Sequence, residues 1–500
     1  MAPRRWVKRS FQGAEDSQAA CKKEEEEVAT PSLRPSLSTQ GASVAVVGGG
    51  FAGLFCAERL AELGFDVTLF RVRSRLSATQ MEHEHNTVYT RPGAAFFDYG
   101  CQLITGGDPW FSDRMEAYEA QGLCHKPDVR VLSKAHGLQR FAEPPGWTGA
   151  HGMWQFQEQV AEEVITRCKI KLITAATSWP PKAGTRYPDK PLLLDDYHHG
   201  PSGWVLGNQK GQSFGPYQIL CGAFNSQTML NTQLKRPEVS TMRDYLKQIR
   251  FQTPIVAMVA FERPLELDFT CAFVTDHRCL GWVSNNNRKI AGGGRFETKR
   301  ELWTLIGTAD YSYHLFEKFG TGGYKKIALK DFLDGFGELV GRNLHGCGPE
   351  AVRIMHWEAG VEANTPPSDA GCLWDAEKCL GWCGPWATFA SAEGAALSGR
   401  CLAEAVAAGG PAEVGYPQGT WRDAACRLRP GYVRLSQGFF YVPGAPDSLV
   451  SIDPPATAGT EDHERFWNAM GGYWIDRDGY EKGSQKGGKS KGKGKSWRQR

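Results

Sequence analysis

The chain lacks any run of about 18 apolar residues, so no membrane-spanning helix is expected. Its first 40 residues also lack the hydrophobic core of a signal peptide, and the acidic run Glu24–Glu27 argues against a transit peptide. We therefore expect a cytoplasmic protein in which residues 1–40 form a disordered N-terminal segment.

The sequence has little excess charge of either sign. A net charge of +3 over 500 residues argues against a folded body built to bind nucleic acid. Lysines cluster instead in a Gly/Ser-rich tail from Lys482, which we interpret as solvated and disordered. Nucleic-acid contact and nuclear targeting by this tail remain alternatives.

Cysteine is present but not concentrated. The 14 cysteines are too scattered for a disulfide scaffold, and the closest group, Cys372, Cys379 and Cys383, lacks C-x-x-C spacing. We interpret this group as buried thiols in a reducing compartment. His83 and His85 lie in a polar stretch and are interpreted as solvated, so no metal site is predicted.

The most informative stretch is residues 42–70. An apolar strand, Val44–Val47, leads into a G-x-G-x-x-G turn, a helix with apolar residues at helical spacing, and a second strand, Val67–Phe70. This arrangement is typical of a dinucleotide-binding fold, in which the glycines admit a pyrophosphate to the N-terminus of the helix. The predicted cofactor contacts in the turn are Gly48, Gly50, Phe51, Ala52 and Gly53.

An acidic residue that binds the ribose is expected about 20 residues past the glycines. Arg71 stands there instead, with Arg73 and Arg75 close behind. One interpretation is that arginine pairs with a 2′-phosphate, as in an NADP-dependent reductase. The other is that the ribose clamp has been lost.

The apolar pattern in the rest of the chain predicts a second sheet covered by a helix. We expect this sheet to face the dinucleotide domain, with a substrate bound between the two. A hairpin is predicted at 204–206 and 217–220, a turn at 285–287, and polar loops at 77–85 and 180–201. Strands are predicted at 255–261, 271–274, 281–283, 302–308 and 352–357, and helices from 152, at 324–339 and at 393–408.

The order of these segments resembles the renalase-like branch of FAD-dependent amine oxidases and related oxidoreductases, over roughly residues 42–408. The resemblance is carried by Gly48–Gly53, Phe97–Thr105, Gly152–Met153, Pro254–Phe261, Leu280–Trp282, Cys383–Trp386 and Glu393–Gly399.

The resemblance implies an α/β fold, with an FAD/NAD(P)-binding Rossmann-type domain interleaved with an antiparallel-sheet substrate domain. The FAD-binding parts would be residues 41–107, 147–252 and 359–410. The substrate-domain parts would be 108–146 and 253–358, followed by a C-terminal extension, 411–481, and a Lys/Gly-rich tail, 482–500.

The resemblance also implies the reaction. A hydride would leave a small amine or a reduced pyridine-type ring, and oxygen would reoxidise the FAD. Because the cofactor carries this chemistry, no catalytic residue is assigned. Besides the turn, the implied cofactor contacts are Arg71, Gly384, Pro385, Glu393 and Gly394.

Three departures from the family pattern suggest an alternative function. Arg71 replaces the ribose-binding Glu, Ser77-Ala78-Thr79 replaces a Gly-Gly-Arg, and Pro385 replaces an Asp that would accept a hydrogen bond from the ribityl chain. The proline side chain accepts no hydrogen bond and its nitrogen donates none. The alternative is a catalytically degenerate flavoprotein fold kept as a binding or scaffold protein.

Overall fold

The computed structural model describes residues 41–78, 81–84, 87–91, 95–179, 194–208, 211–223, 251–291, 299–357, 361–362, 371–409, 432–435 and 438–441. The segments predicted to be disordered, residues 1–40 and 482–500, lie outside these ranges, as does most of the predicted C-terminal extension.

The helices are α1 (Phe51–Glu62), α2 (Pro109–Ala120), α3 (Met153–Arg167), α4 (Asn286–Lys289), α5 (Ala309–Val340) and α6 (Ala392–Ala408), with short 3₁₀ turns at Leu344–Cys347 and Pro385–Ala387. The strands up to residue 222 are β1 (Ser43–Val47), β2 (Asp66–Ala78), β3 (Met81–Glu84), β4 (Thr87–Arg91), β5 (Ala95–Asp98), β6 (Cys124–His125), β7 (Val129–Ser133), β8 (Gly137–Arg140), β9 (Thr148–Gly149), β10 (Lys171–Trp179), β11 (Leu194–Gly200), β12 (Gly203–Asn208), β13 (Ser213–Tyr217) and β14 (Ile219–Gly222). The later strands are β15 (Phe251–Gln252), β16 (Ile255–Phe261), β17 (Cys271–Val274), β18 (Leu280–Asn285), β19 (Glu301–Gly307), β20 (Pro349–His356), β21 (Val361–Glu362), β22 (Leu373–Asp375), β23 (Leu380–Trp382), β24 (Tyr432–Leu435) and β25 (Gly438–Tyr441).

The first sheet has the order β22-β23-β14-β1-β2-β3-β4-β5, with β10 also paired to β2. Its centre is parallel, since β1 lies between β2 and β14, and β23 lies beside β14. Side chains of β1 alternate between the two faces. Val44 and Val46 join the core under α1, α3 and α6, whereas Ala45 and Val47 join a core with the β11–β13 sheet. A strand buried on both faces reads as a continuous apolar run, as the sequence indicated.

The second sheet has the order β20-β16-β19-β18-β17-β7-β8 and is antiparallel except at the β17–β7 pair. Every residue of β16 is buried. Ile255, Ala257 and Val259 pack with α5, whereas Val256 and Met258 face a core shared with residues 97–103. Strands β7 and β8 precede α3 in the chain, so the chain passes between the two sheets more than once. The predicted domain boundaries remain a prediction.

A buried polar cluster joins the two sheets. Asp98, at the end of β5, accepts hydrogen bonds from Lys289 Nζ at 2.9 Å and from the backbone N–H of Met153 at 3.1 Å. The backbone N–H of Asp98 donates to Asn286 Oδ1 at 3.1 Å. The side chains of Lys289 and Asp98 are 1% and 0% exposed. One desolvated ion pair therefore connects β5, the start of α3 and α4.

The predicted polar loop at 77–85 is wrong over the described residues. Strand β2 continues to Ala78; it pairs with β10 as far as Leu76 and with β3 from Leu76 to Ala78. Strand β3 lies between β2 and β4, and this backbone pairing on both sides holds the polar residues Met81–Glu84 extended. Residues 79–80 and 85 lie outside the described residues.

Three other local predictions need correction. The predicted strand 217–220 is two strands, because the chain changes sheets at Gln218, whose N–H donates to the Ser43 carbonyl. Residues 194–200 of the predicted 180–201 loop form β11, paired with β12, and 180–193 lie outside the described residues. The predicted turn at 285–287 opens the one-turn helix α4, because the Asn285 side chain accepts from the N–H groups of Asn287 and Arg288.

His356 at the end of β20 gives the fold a pH dependence. Its ring stacks on Phe316 of α5 at 4.3 Å, and burial lowers the pKa of His356 to about 4. The unfolded chain, with a pKa near 6.5, binds more protons between these two values, so stability falls as pH drops through this window. Between pH 7.5 and pH 4, we expect the free energy of unfolding of the wild type to fall by up to about 3 kcal/mol more than that of a His356→Gln variant.

Urea unfolding of both proteins at several pH values measures this difference. A His136→Gln variant, changed at an exposed position, serves as the control and should follow the wild type. If the free energies of unfolding of the wild type and His356→Gln fall equally with pH, His356 contributes nothing to the acid sensitivity.

Candidate dinucleotide-binding site

Gly48 and Gly53 are required by the packing of the protein itself. Gly48 has φ +127°, and a Cβ there would overlap the Ala223 carbonyl oxygen. A Cβ at Gly53 would overlap the Gly48 carbonyl oxygen. The Gly48 N–H donates to the Phe70 carbonyl at 2.9 Å, and the Ala223 N–H donates to Val47 at 2.8 Å. The turn is thus held tightly between Phe70 of β2 and the end of β14.

Gly50 is in a different situation. It is exposed, its φ of −77° suits any residue, and a Cβ there would meet no described atom within 4 Å. Gly50 is the N-cap of α1, and no side chain of the described residues caps this helix. The first turn of α1, Phe51–Leu54, contains no acidic residue. The N–H groups of Phe51 and Ala52 therefore lie at the positive end of the helix dipole, where a phosphate is favoured.

Arg71 lies across the turn and is paired with α3. Its guanidinium forms an ion pair with Glu158, and the two side chains are 11% and 13% exposed. The aliphatic part of Arg71 lies so close to Gly49 that a Cβ at Gly49 would overlap it. Gln157 Nε2 donates to the Gly49 carbonyl at 3.1 Å. Two successive residues of α3 thus contact the turn and the arginine beside it.

The segment after β23 reaches the same edge of the sheet. Because β1, β14 and β23 are parallel, their carboxyl ends lie together, which is where open α/β sheets bind ligands. The Cys383 N–H donates to the Gly222 carbonyl at 2.9 Å, and the Gly384 N–H donates to Ser398 Oγ at 3.0 Å. Pro385 then opens a 3₁₀ turn. The structure brings Gly384 and Pro385 to this edge, and their contact with a cofactor stays a prediction.

Glu393 and Gly394 lie in the first turn of α6 and have partners within the protein. The buried Glu393 carboxylate accepts from the N–H groups of Gly107 at 2.9 Å and Asp108 at 2.5 Å, so it ties α6 to the start of α2. The Gly394 N–H donates to Ser391 Oγ at 2.8 Å. Their predicted cofactor contacts stay predictions, and the observed role is structural.

Residue patterns missed Gln157 and Glu158. Both lie on α3 beside the apolar positions Phe156 and Val160, where polar residues are typical of a solvated helix face. Only the packing of α3 against the first sheet brings them to the glycine turn, so no local signal identifies them.

Among the cysteines, Cys372 and Cys383 are buried and Cys379 is partly buried. Burial raises the pKa of the Cys372 thiol to about 12, so the neutral thiol persists there. In the part of the chain that the structure describes, no group of three or more His, Cys, Asp or Glu side chains is placed to hold a metal ion. None of the described helices is long and apolar enough to cross a membrane.

Comparisons with known proteins agree with the architecture of the first sheet. Residues 46–117 match the family model described as an NAD(P)-binding Rossmann-like domain. No curated protein sequence matches the chain.

Several solved structures resemble the chain at low identity. A putrescine oxidase variant with redesigned cofactor binding is 12% identical, with 74% of this chain and 99% of that chain covered and a TM-score of 0.46. Cyclohexylamine oxidase from Brevibacterium oxydans is 14% identical, with the same coverages and a TM-score of 0.45. A flavoprotein/dehydrogenase from Cytophaga hutchinsonii is 12% identical, with coverages of 73% and 78% and a TM-score of 0.41. Resemblances at this level leave activity and substrate unassigned. The chain has a mixed α/β fold, in which residues 46–117 are similar to an NAD(P)-binding Rossmann-like domain.

Proposed function

We propose that the protein is an FAD-dependent oxidoreductase of renalase or amine-oxidase type, which removes a hydride from a small amine or a reduced pyridine-type substrate with oxygen as acceptor. The observation that supports a bound dinucleotide most strongly is Gly50. The protein's own packing does not require glycine there, whereas close approach of a pyrophosphate does. We propose a cytoplasmic location for the same enzyme.

The residues present fit the dinucleotide in defined roles. Gly48 and Gly53 shape the turn, and the N–H groups of Phe51 and Ala52 would hold the pyrophosphate. The backbone around Gly384 and Pro385 would approach the flavin end, since it follows a strand at the same sheet edge. The FAD, when bound, supplies the hydride-accepting chemistry.

A flavin fits better than a nicotinamide-only reductase for two reasons. The segments Pro254–Phe261 and Cys383–Trp386 are similar to those of flavin-dependent oxidases, and they would have no purpose in a small NADP reductase. The second sheet is covered by α5, and the Asp98–Lys289 ion pair joins it to the first sheet, so the two sheets pack as one unit. Such a unit can position a substrate against a cofactor and exclude water.

An absorption spectrum of the purified protein, repeated after addition of excess FAD and desalting, tests the proposal. Flavin bands that survive desalting are the expected result. A colourless protein that FAD does not reconstitute would overturn the oxidoreductase proposal and favour the degenerate binding or scaffold protein, for which the replacements at Arg71 and Pro385 are the supporting observation.

Gly50→Ala separates binding from folding. We expect FAD affinity to fall tenfold or more, about 1.4 kcal/mol, because the methyl group would stand where the pyrophosphate approaches. The free energy of unfolding without FAD should change by less than about 1 kcal/mol, since a Cβ at Gly50 meets no described atom within 4 Å. FAD titration followed by fluorescence, together with urea unfolding, measures both. Unchanged FAD affinity would contradict the assignment of this turn to the pyrophosphate.

A further inference from the structure

The position that supplies a ribose-binding acid in dinucleotide folds holds Arg71 in this chain, and a carboxylate is paired with that arginine. It belongs to Glu158 on α3. Arg71 is the first residue past Phe70, whose carbonyl accepts from the Gly48 N–H. A helix therefore contributes the carboxylate beside this position, and the strand contributes its cation partner.

Three contacts hold Glu158 beside the turn. Its carboxylate pairs with the Arg71 guanidinium, the Arg71 side chain lies against Gly49, and the neighbouring Gln157 donates to the Gly49 carbonyl at 3.1 Å. Both members of the ion pair are largely shielded, at 11% and 13% exposure, so their geometry is more constrained than that of a surface pair. An ionised carboxylate offers about four acceptor positions, so it can accept from several donors at once.

We infer that Glu158 is the carboxylate that accepts a hydrogen bond from the adenosine ribose hydroxyls of the bound dinucleotide, and that Arg71 is the positioning residue that holds Glu158 there. This inference rests on the proposed dinucleotide function and makes it more specific. It assigns the chain to dinucleotides with a free 2′-hydroxyl, such as FAD, and against those with a 2′-phosphate.

The charge arrangement supports the free hydroxyl. An arginine alone at this position of β2 would favour a 2′-phosphate. Here the guanidinium is neutralised by Glu158, and a phosphate brought to Arg71 would lie beside that carboxylate. Two like charges in a partly desolvated site repel each other, whereas a neutral hydroxyl donates to the carboxylate.

Binding of the adenosine half alone tests the assignment without relying on enzyme activity. The affinities of ADP, 2′-deoxy-ADP and ADP with a 2′-phosphate are measured by calorimetry on the full chain after removal of any bound flavin. We expect the wild type to bind ADP about ten- to a hundredfold more tightly than 2′-deoxy-ADP, as for one hydrogen bond to a charged group. ADP should also bind more tightly than its 2′-phosphorylated form, which differs from it only at the 2′ position.

Variants then show which residues cause the preference for ADP over 2′-deoxy-ADP. Glu158→Gln and Arg71→Gln should each bring the ADP to 2′-deoxy-ADP ratio close to one. The double variant should be no worse than either single variant, because the two residues act as one unit. Glu162→Gln, an exposed position one turn further along α3, is the matched control and should keep the wild-type ratio.

The outcomes separate this inference from the proposed function. Tight ADP binding without 2′-hydroxyl discrimination, or discrimination that survives Glu158→Gln, overturns the role of Glu158 and leaves the dinucleotide site standing. Tighter binding of ADP with a 2′-phosphate, lost in Arg71→Gln, assigns Arg71 to a 2′-phosphate instead. No binding of any of the three nucleotides by the wild type overturns both proposals.

Discussion

Lys289→Met is expected to lower the free energy of unfolding by about 3–5 kcal/mol, because it leaves the Asp98 carboxylate buried without its cation. The two side chains are 1% and 0% exposed, and Lys289 Nζ lies 2.9 Å from Asp98 Oδ2. Methionine fills a similar volume, so the loss would come from the uncompensated charge and not from a cavity. Since Asp98 also accepts from the Met153 N–H, the start of α3 should loosen with it.

A second variant shows whether charge causes the loss. Asp98→Asn combined with Lys289→Met removes both charges and keeps a side-chain carbonyl to accept from the Met153 N–H. We expect the double variant to recover much of the stability lost in Lys289→Met. Equal instability of the two proteins would contradict the ion-pair explanation and point to packing.

Urea unfolding provides the measurement, with Lys330→Met as the control. Lys330 pairs with Asp334 at 2.5 Å on an exposed face of α5, so its loss should change stability little. A Lys289→Met variant as stable as Lys330→Met would show that the pair between the sheets contributes nothing net.

Gly48→Ala is expected to be the most damaging change in the glycine turn, at about 3 kcal/mol or more. The φ of +127° disfavours any L side chain, at about 1–3 kcal/mol. The new methyl group would also overlap the Ala223 carbonyl, which is backbone fixed in the core by its neighbours in β14. Relief requires β1 and β14 to separate, and overpacking of this kind costs a further 1–3 kcal/mol or so.

Gly41→Ala isolates the second contribution. Gly41 also has a positive φ, +78°, but a Cβ there would meet no described atom within 4 Å. We expect the free energy of unfolding of this variant to fall only by the cost of placing an L side chain at a positive φ, about 1–2 kcal/mol. Thermal and urea unfolding of both variants give the comparison, and equal losses would show that the predicted overlap at Ala223 is relieved without cost.

Local sequence was sufficient where a segment carries one strong, repeated signal. The apolar runs 255–261 and 271–274 coincide with β16 and β17, and the small-residue helix from Glu393 differs from α6 by one residue. The glycine spacing identified the turn, because the backbone conformation at Gly48 and the close packing at Gly53 allow few other residues.

Local sequence failed where backbone pairing or a chain crossing decides the structure. The polar residues Met81–Glu84 were predicted as a loop and are nevertheless strand, because β2 and β4 pair with them on their two sides. The break at Gln218 exists because the chain leaves the β12–β13 sheet to pair with β1.

In the candidate site too, some residues were identified from local sequence and others only from the structure. The sequence by itself determined the Rossmann-like unit, the glycines of its turn and the unusual Arg71, because these follow from neighbouring residues. Only the tertiary structure brought Glu158 and Gln157 to that turn and Lys289 to Asp98. Each of these pairs joins residues far apart in the chain, and their approach depends on how α3 and the second sheet pack, which no local periodicity encodes.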